Sequence, residues 1–268
     1  MTDQQKTVTV LFLTLLTASL APLLNAQVRS GLITPVYDNF NSQWLDPNKW
    51  ETTANCWNGL PLECVREIQN GQLRLAIRAM GSQNSDFGDQ QTASFLQFAN
   101  PGAVKSITAT VTVRSANGAL CPSNSFVGTA KATIHGAFFN TGSGSYLDDV
   151  QAALVLSSYN SLGSSTLDVG GWIGDGNGVN IWTHMGNYPK GTPIFATVSW
   201  DQSNHQFIFT VRPDGGAVNQ VAVPYNLPDS LPPASPWKQL EAAADPPNCS
   251  SIPAFSNIEV LFDNVIVK

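Results

Sequence analysis

Apolar and polar positions alternate with a period of two along much of the chain. The clearest run is 104–114, VKSITATVTVR. There Ile107, Ala109, Val111 and Val113 share one face, while Thr108, Thr110, Thr112 and Arg114 share the other. Successive side chains of an extended backbone point to opposite sides, so this pattern predicts a strand with one face buried. Residues 72–78 repeat it, with Leu73, Leu75 and Ile77 set against Gln72, Arg74, Ala76 and Arg78. The same reading predicts strands over 129–139, 149–157, 178–184, 193–201, 205–212, 219–224 and 257–267. Between them lie clusters such as Asn117-Gly118, Gly174-Asp175-Gly176-Asn177-Gly178 and Pro213-Asp214-Gly215-Gly216. These residues supply the positive or preset φ that turns require. Trp200 to Asn204 joins two alternating runs and predicts a hairpin. Past residue 26, helical spacing is confined to short turns at Asp46–Lys49 and Lys238–Ala243. The Pro-rich segment 226–256 is expected to wrap the body as a long loop. Many short strands with turns throughout indicate an all-β sandwich or barrel.

The N-terminus breaks this pattern. Val8 to Leu24 is an uncharged apolar run, preceded by Lys6 and followed by small residues near Ala21 and Ala26. This is the layout of a secretory signal peptide over residues 1–26, leaving 27–268 as one domain. An uncleaved anchor and a buried helix are the competing readings, but the run is short of the roughly 20 residues of a membrane span. No second long apolar run follows, so the mature protein is expected not to span a membrane and to be secreted or extracellular. The periplasm and the cell surface are the other destinations.

Export changes how the cysteines are read. Four are present, Cys56, Cys64, Cys121 and Cys249. In an oxidising compartment an even number suggests two disulfides, with three connectivities open. Cys56 and Cys64 flank a short Gly- and Pro-containing segment and are paired on that ground, which leaves Cys121 with Cys249. Asn248-Cys249-Ser250 matches a glycosylation sequon, expected to be silent if Cys249 is bonded. Charge narrows the partners: 13 Lys+Arg face 19 Asp+Glu, a net charge of −6, so nucleic acid is an unsuitable ligand. Charged residues are only 12% of the chain, which leaves outward strand faces to Thr, Ser, Gln and Asn.

Three short stretches carry a family likeness. The first is Asp38-Asn39-Phe40 followed by Asp46-Pro47-Asn48-Lys49-Trp50, the second Asn70-Gly71-Gln72-Leu73-Arg74-Leu75, and the third Asp263-Asn264-Val265-Ile266-Val267. Together they resemble the concanavalin A-like lectin/glucanase superfamily. The resemblance covers most of residues 33–268. It implies a jelly-roll β-sandwich of two curved antiparallel sheets, with ligands usually on the concave one. It also implies a structural calcium where the first and last strands meet, with Asp38, Gly71 and Asp263 as the positions concerned.

The catalytic pattern of that superfamily's laminarinase-type members is missing. They carry E-x-D-x-x-E or E-x-D-x-E on one strand, so that two carboxylates flank a glycosidic bond. The best-placed strand here reads Asp149, Gln151, Ala153 and Val155 on one face, with one carboxylate and no partner. The enzyme reading is therefore uncertain and leans negative. A glycoside hydrolase or polysaccharide lyase with an unrecognised acid/base pair is the alternative; an acid from another strand, such as Glu259 or Asp201, is conceivable for the hydrolase, and Arg74, Lys131, His135 and Tyr159 for the lyase. The leading expectation is a secreted, non-catalytic, lectin-like module that binds a glycan or polysaccharide on its concave sheet. Its candidate ligand-binding residues are His135, Asp149, Gln151, Trp172, Trp182 and Tyr188. Aromatic faces stack on sugar rings, and polar side chains bond hydroxyls. Trp44, Trp50 and Trp200 are expected to pack within the fold. A structural or interaction protein of the cell surface is the third reading.

Overall fold

A computed structural model describes residues 35–51, 56–57, 61–142, 144–159 and 164–268. The expected signal peptide, 1–26, lies outside them. Among the described residues no helix is long and apolar enough to cross a membrane.

The described strands follow in chain order as β1 (Cys56–Trp57), β2 (Pro61–Gln69), β3 (Gln72–Met80), β4 (Thr92–Gln97), β5 (Ser106–Asn117), β6 (Thr129–Asn140) and β7 (Asp149–Tyr159). After these come β8 (Thr166–Gly174), β9 (Asn180–Pro189), β10 (Ile194–Asp201), β11 (Gln206–Pro213), β12 (Asn219–Pro224), β13 (Lys238–Asp245) and β14 (Phe255–Val267). They form two seven-stranded sheets, β1-β4-β13-β6-β7-β8-β9 and β12-β11-β10-β5-β14-β3-β2. Every strand pairing is antiparallel. This is a jelly-roll β-sandwich, as the resemblance implied.

Alternation explains the packing. Leu73, Leu75 and Ile77 of β3, Ile107 to Val113 of β5, and Phe262 of β14 meet Ala130, Ala132 and Ile134 of β6, Leu154 and Leu156 of β7, and Leu240 and Ala242 of β13 in one core. Burying each large aliphatic side chain of this kind contributes about 1.5–3 kcal/mol. One end of the core is aromatic: Trp50 stacks near Phe40 and Phe98 with ring centroids 5.7 and 4.6 Å away. Trp200 packs on Phe139 at 5.3 Å. Trp44 does not join them, being 79% exposed.

The Trp200–Asn204 segment forms the expected hairpin between β10 and β11, with a short 3-10 turn at Gln202–Asn204. The disulfides are Cys56–Cys64 and Cys121–Cys249. Asn248 is buried, and its amide bonds Phe87 O, Ser82 N and Gln90 Nε2, so the sequon is closed.

One expectation is overturned. Segment 226–256 is not simply a wrapping loop, and Lys238–Ala243 is not a helical turn. Residues 238–245 form β13, inserted between β4 and β6. All eight of its residues are buried. Its Lys-Gln-Leu-Glu-Ala-Ala-Ala-Asp sequence has good helix formers, but neighbours on both edges take its backbone hydrogen bonds. Tertiary pairing overrides the local preference.

Candidate functional site

Period-two alternation sends Leu240, Ala242 and Ala244 of β13 to the core. Gln239, Glu241, Ala243 and Asp245 therefore share the sheet's other face. Register then aligns this face across strands. Gln97 (β4) pairs with Gln239, Gln239 with His135 (β6), His135 with Ala153 (β7), Ala153 with Trp172 (β8), and Trp172 with Trp182 (β9). One unbroken row thus crosses six strands, about 24 Å at the usual strand spacing.

Two adjoining cavities lie on this face and together form a groove. The larger, about 430 Å³, is lined by Trp57, Phe95, Gln97, Gln151, Trp237 and Gln239 together with His135 and Glu241. The smaller, about 300 Å³, is lined by Lys131, Thr133, Tyr159, Trp172 and Trp182, again with His135 and Glu241. The groove therefore has an aromatic platform at each end and a polar centre shared by both cavities.

At that centre Glu241 Oε2 lies 3.2 Å from His135 Nε2 and 2.5 Å from the Gln239 amide nitrogen. Gln239 Nε2 is also 2.9 Å from His135 Nε2, and Gln97 donates to Gln239 Oε1 at 2.9 Å. With its hydrogen on Nε2, the imidazole and the amide both donate to the carboxylate, which is the arrangement that satisfies the anion. This tautomer is assigned from the hydrogen-bond network. The His135 ring also packs edge-on to Trp237, with centroids 4.8 Å apart. Burial pushes the Glu241 carboxyl up, but the His135 and Lys131 charges and the hydrogen bonds from His135 and Gln239 outweigh it. The group is held below the usual carboxylate range and stays ionised. Lys131 is matched by Asp245, with Nζ to Oδ2 at 2.7 Å.

Glycines seat the aromatic platform. A Cβ at Gly170 would lie 2.3 Å from Cζ2 of Trp182, and one at Gly174 would lie 2.2 Å from Cζ2 of Trp172. The indoles cover these two glycines and line the smaller cavity. Trp172 is held by its Nε1 donating to Asn180 Oδ1 at 2.8 Å. Trp182 remains 41% exposed.

Of the ligand-binding residues predicted from sequence, His135, Gln151, Trp172 and Trp182 line the groove. Gln151 has no side-chain partner among the described residues, so its amide is free to bond a ligand. Asp149 is a correction. It is 2% exposed, and its carboxylate accepts from Asn140 Nδ2 and from the backbone N–H groups of Ala234 and Ser235. It anchors the segment leading into β13. Tyr188 is likewise outside both cavities; it packs on the core and donates to Met185 O. Of the residues considered for a lyase, Lys131, His135 and Tyr159 share the smaller cavity. Arg74 is on the opposite sheet, paired with Glu67 and Glu259.

Sequence reasoning missed Trp57, Phe95, Gln97, Trp237, Gln239 and Glu241. Gln239-Leu240-Glu241 does alternate, and that was the available signal. It was hidden by the helix-forming alanines that follow.

The calcium expectation meets a corner already in use. Asp38 Oδ1 accepts from Phe40 N at 2.8 Å, and Oδ2 accepts from Trp50 Nε1 at 2.7 Å. Asp263 accepts from Asn264 N at 2.7 Å. Burial raises its carboxyl, against hydrogen bonds from Asn264 and Gln72. Gly71 occupies the β2–β3 turn at φ +73°. Calcium takes 6–8 oxygens, and both carboxylate oxygens of Asp38 already accept hydrogen bonds from the protein. Among the described residues, the one cluster of potential metal-binding side chains is Asp86 with Cys121 and Cys249. Those sulfurs are bonded to each other and are not thiolate ligands.

Fold and groove together define a jelly-roll β-sandwich with an open aromatic groove on one sheet. No family model and no curated protein matches the chain. Among solved structures, it is similar to a β-1,3-glucanase from Mycobacterium marinum, with 15% identity, 87% of this chain and 96% of that one covered, and a TM-score of 0.45. It is also similar to lectin II from Ulex europaeus, with 12% identity, 82% and 96% coverage and a TM-score of 0.38. The exoplasmic/lumenal domain of VIP36 in its Ca2+/Man2-bound form shows 11% identity, 86% and 88% coverage and a TM-score of 0.39. At such identities the likeness concerns architecture, and the chemistry has to come from the chain's own residues.

Proposed function

We propose that this protein is an exported glycan-binding jelly roll that lays an extended, uncharged polysaccharide across its grooved sheet. The observation that carries the reading is the single cross-strand row from Gln97 to Trp182, with indoles at one end and amides at the other. A polysaccharide presents alternating apolar ring faces and hydroxyls, and the groove offers aromatic platforms and amides at strand spacing. Lys131 is already matched by Asp245, and Glu241 is satisfied by hydrogen bonds from His135 and Gln239, which favours a neutral ligand. Two disulfides and the apolar N-terminal run support an extracellular or lumenal setting. The open cavities count against a purely structural role.

Titration with soluble β-glucan, mannan, xylan and galactan, followed by tryptophan fluorescence, tests this. At least one should quench or shift the emission. Replacing both Trp172 and Trp182 by Ala should weaken binding roughly 10- to 100-fold, the loss of two stacking contacts. If no polysaccharide binds, or if the double variant binds as tightly as the wild type, the reading fails.

A further inference from the structure

The centre of the groove holds more than binding requires. A sugar hydroxyl needs a donor or acceptor, and the three glutamines supply both. Glu241 and His135 form something different: an ionised carboxylate fixed against one imidazole nitrogen on the floor where two cavities meet. Glu241 side-chain atoms are 9% exposed and those of His135 15%, so the pair is shielded without being sealed. The carboxylate engages Nε2, and Nδ1 has no hydrogen-bond partner among the described residues. A carboxylate that orients an imidazole and stabilises its protonated form, leaving the other nitrogen as base, is a recurring acid/base device.

The surroundings restrict which bond such a pair could break. Glycosidic hydrolysis uses two carboxyl groups on either side of the bond, whereas Glu241 is the one carboxylate among the described residues lining either cavity. Acyl transfer needs a single base and donors for a developing oxyanion. Among the described residues Gln151 has both amide hydrogens free, and Gln97 has one beyond its bond to Gln239.

Resting on the glycan reading of the same groove, we propose that His135, positioned by Glu241, hydrolyses O-acyl esters carried on the bound polysaccharide. Water loses a proton to His135 Nδ1 as its oxygen bonds to the acyl carbon. The carbonyl electron pair moves onto oxygen, where glutamine amide hydrogens receive it. The intermediate collapses, the bond from acyl carbon to sugar oxygen breaks, and the sugar alkoxide takes the proton from Nδ1. Ester and water become carboxylic acid and a sugar hydroxyl, and His135 returns to its starting form. His135 is the catalytic residue and Glu241 a positioning residue.

The test uses the full chain with O-acetylated xylan and O-acetylated glucomannan, measuring free acetate. Binding of the deacetylated polymers is followed in parallel by tryptophan fluorescence. Wild type should release acetate. His135→Gln should lower turnover by about 100-fold or more, a far larger loss than its loss of affinity for deacetylated polymer, and added imidazole should restore part of the rate to His135→Gly. Glu241→Gln should lower kcat with little change in KM, and Glu241→Asp should recover part of that loss. Polymer binding without acetate release would overturn the catalytic inference alone. Absence of both binding and release would overturn the groove reading with it. A wild-type rate in His135→Gln, or release of reducing or unsaturated sugar ends without acetate, would also overturn the ester assignment.

Discussion

β13 and β14 are both interior strands of their sheets, and each carries a glutamate in mid-strand. They treat that charge in opposite ways. In β14, Glu259 points off the opposite sheet, is 27% exposed at its side chain, and meets Arg74 at 3.0 Å and Arg114 at 3.5 Å. In β13, Glu241 is 9% exposed and meets a histidine, a lysine charge and an amide, with no arginine. The first arrangement is a solvated ladder of the kind that contributes little. The second holds an ionised group in a buried place where its removal or inversion is costly. β13 also buries Lys238, whose Nζ donates to Pro101 O and Ala137 O at 2.8 and 2.9 Å and lies 4.6 Å from the Phe138 ring centre. Three buried charged residues on one short strand, Lys238 on the core face and Glu241 and Asp245 on the other, are an expense that a mere scaffold strand such as β14 avoids.

The sharpest way to break this comparison is to invert the charge. Glu241→Lys places an ammonium beside His135 and Lys131 with no carboxylate to receive it. It should cost about 3–5 kcal/mol of stability, read as a lowered denaturant midpoint. A loss below about 1 kcal/mol would mean that the groove floor is far wetter than its burial indicates.

Lys238 sharpens the contrast through pH. Desolvation holds its pKa at about 8, against an ordinary 10.5. Between those values the unfolded chain binds more protons than the folded one, so stability should rise with pH across that window. Below pH 8 the full penalty is present. The rise should be on the order of 2 kcal/mol and should be absent in Lys238→Met, as followed by urea denaturation at several pH values. An identical pH profile in the variant would assign the rise to another group.

The smallest effect is expected on the sheet opposite the groove. Glu259→Ala should change stability by no more than about 1 kcal/mol and leave polysaccharide binding unaltered. A large loss of binding in this variant would show that the two faces are coupled.

The same two strands show what could be read without a structure. β14 was legible over most of its length because Ile258, Val260 and Phe262 alternate with Asn257 and Glu259, and burial follows that alternation. The strands at 72–80, 106–117 and 206–213 were legible for the same reason, and so was His135 on a face with Lys131 and Thr133. β13 was not, because its alternation is confined to Gln239-Leu240-Glu241 and the alanines that follow favour a helix. Asp149 misled because an alternating face does not say whether its first residue lies over the groove or under an incoming loop. Trp172 and Trp182 stood out by type, but their seats at Gly174 and Gly170 depend on pairing.

Local alternation and turn residues were enough to indicate an all-β sandwich or barrel, since each is written within a short stretch of chain, and close spacing was enough to pair Cys56 with Cys64, which left Cys121 to Cys249. The groove was settled only by tertiary structure. Gln97 meets Gln239 across 142 residues of sequence, and His135 meets Glu241 across 106. Such contacts depend on which strands become neighbours and in what register. Register is a property of the assembled sheet, where one core must be filled from both sides, and no single segment carries it.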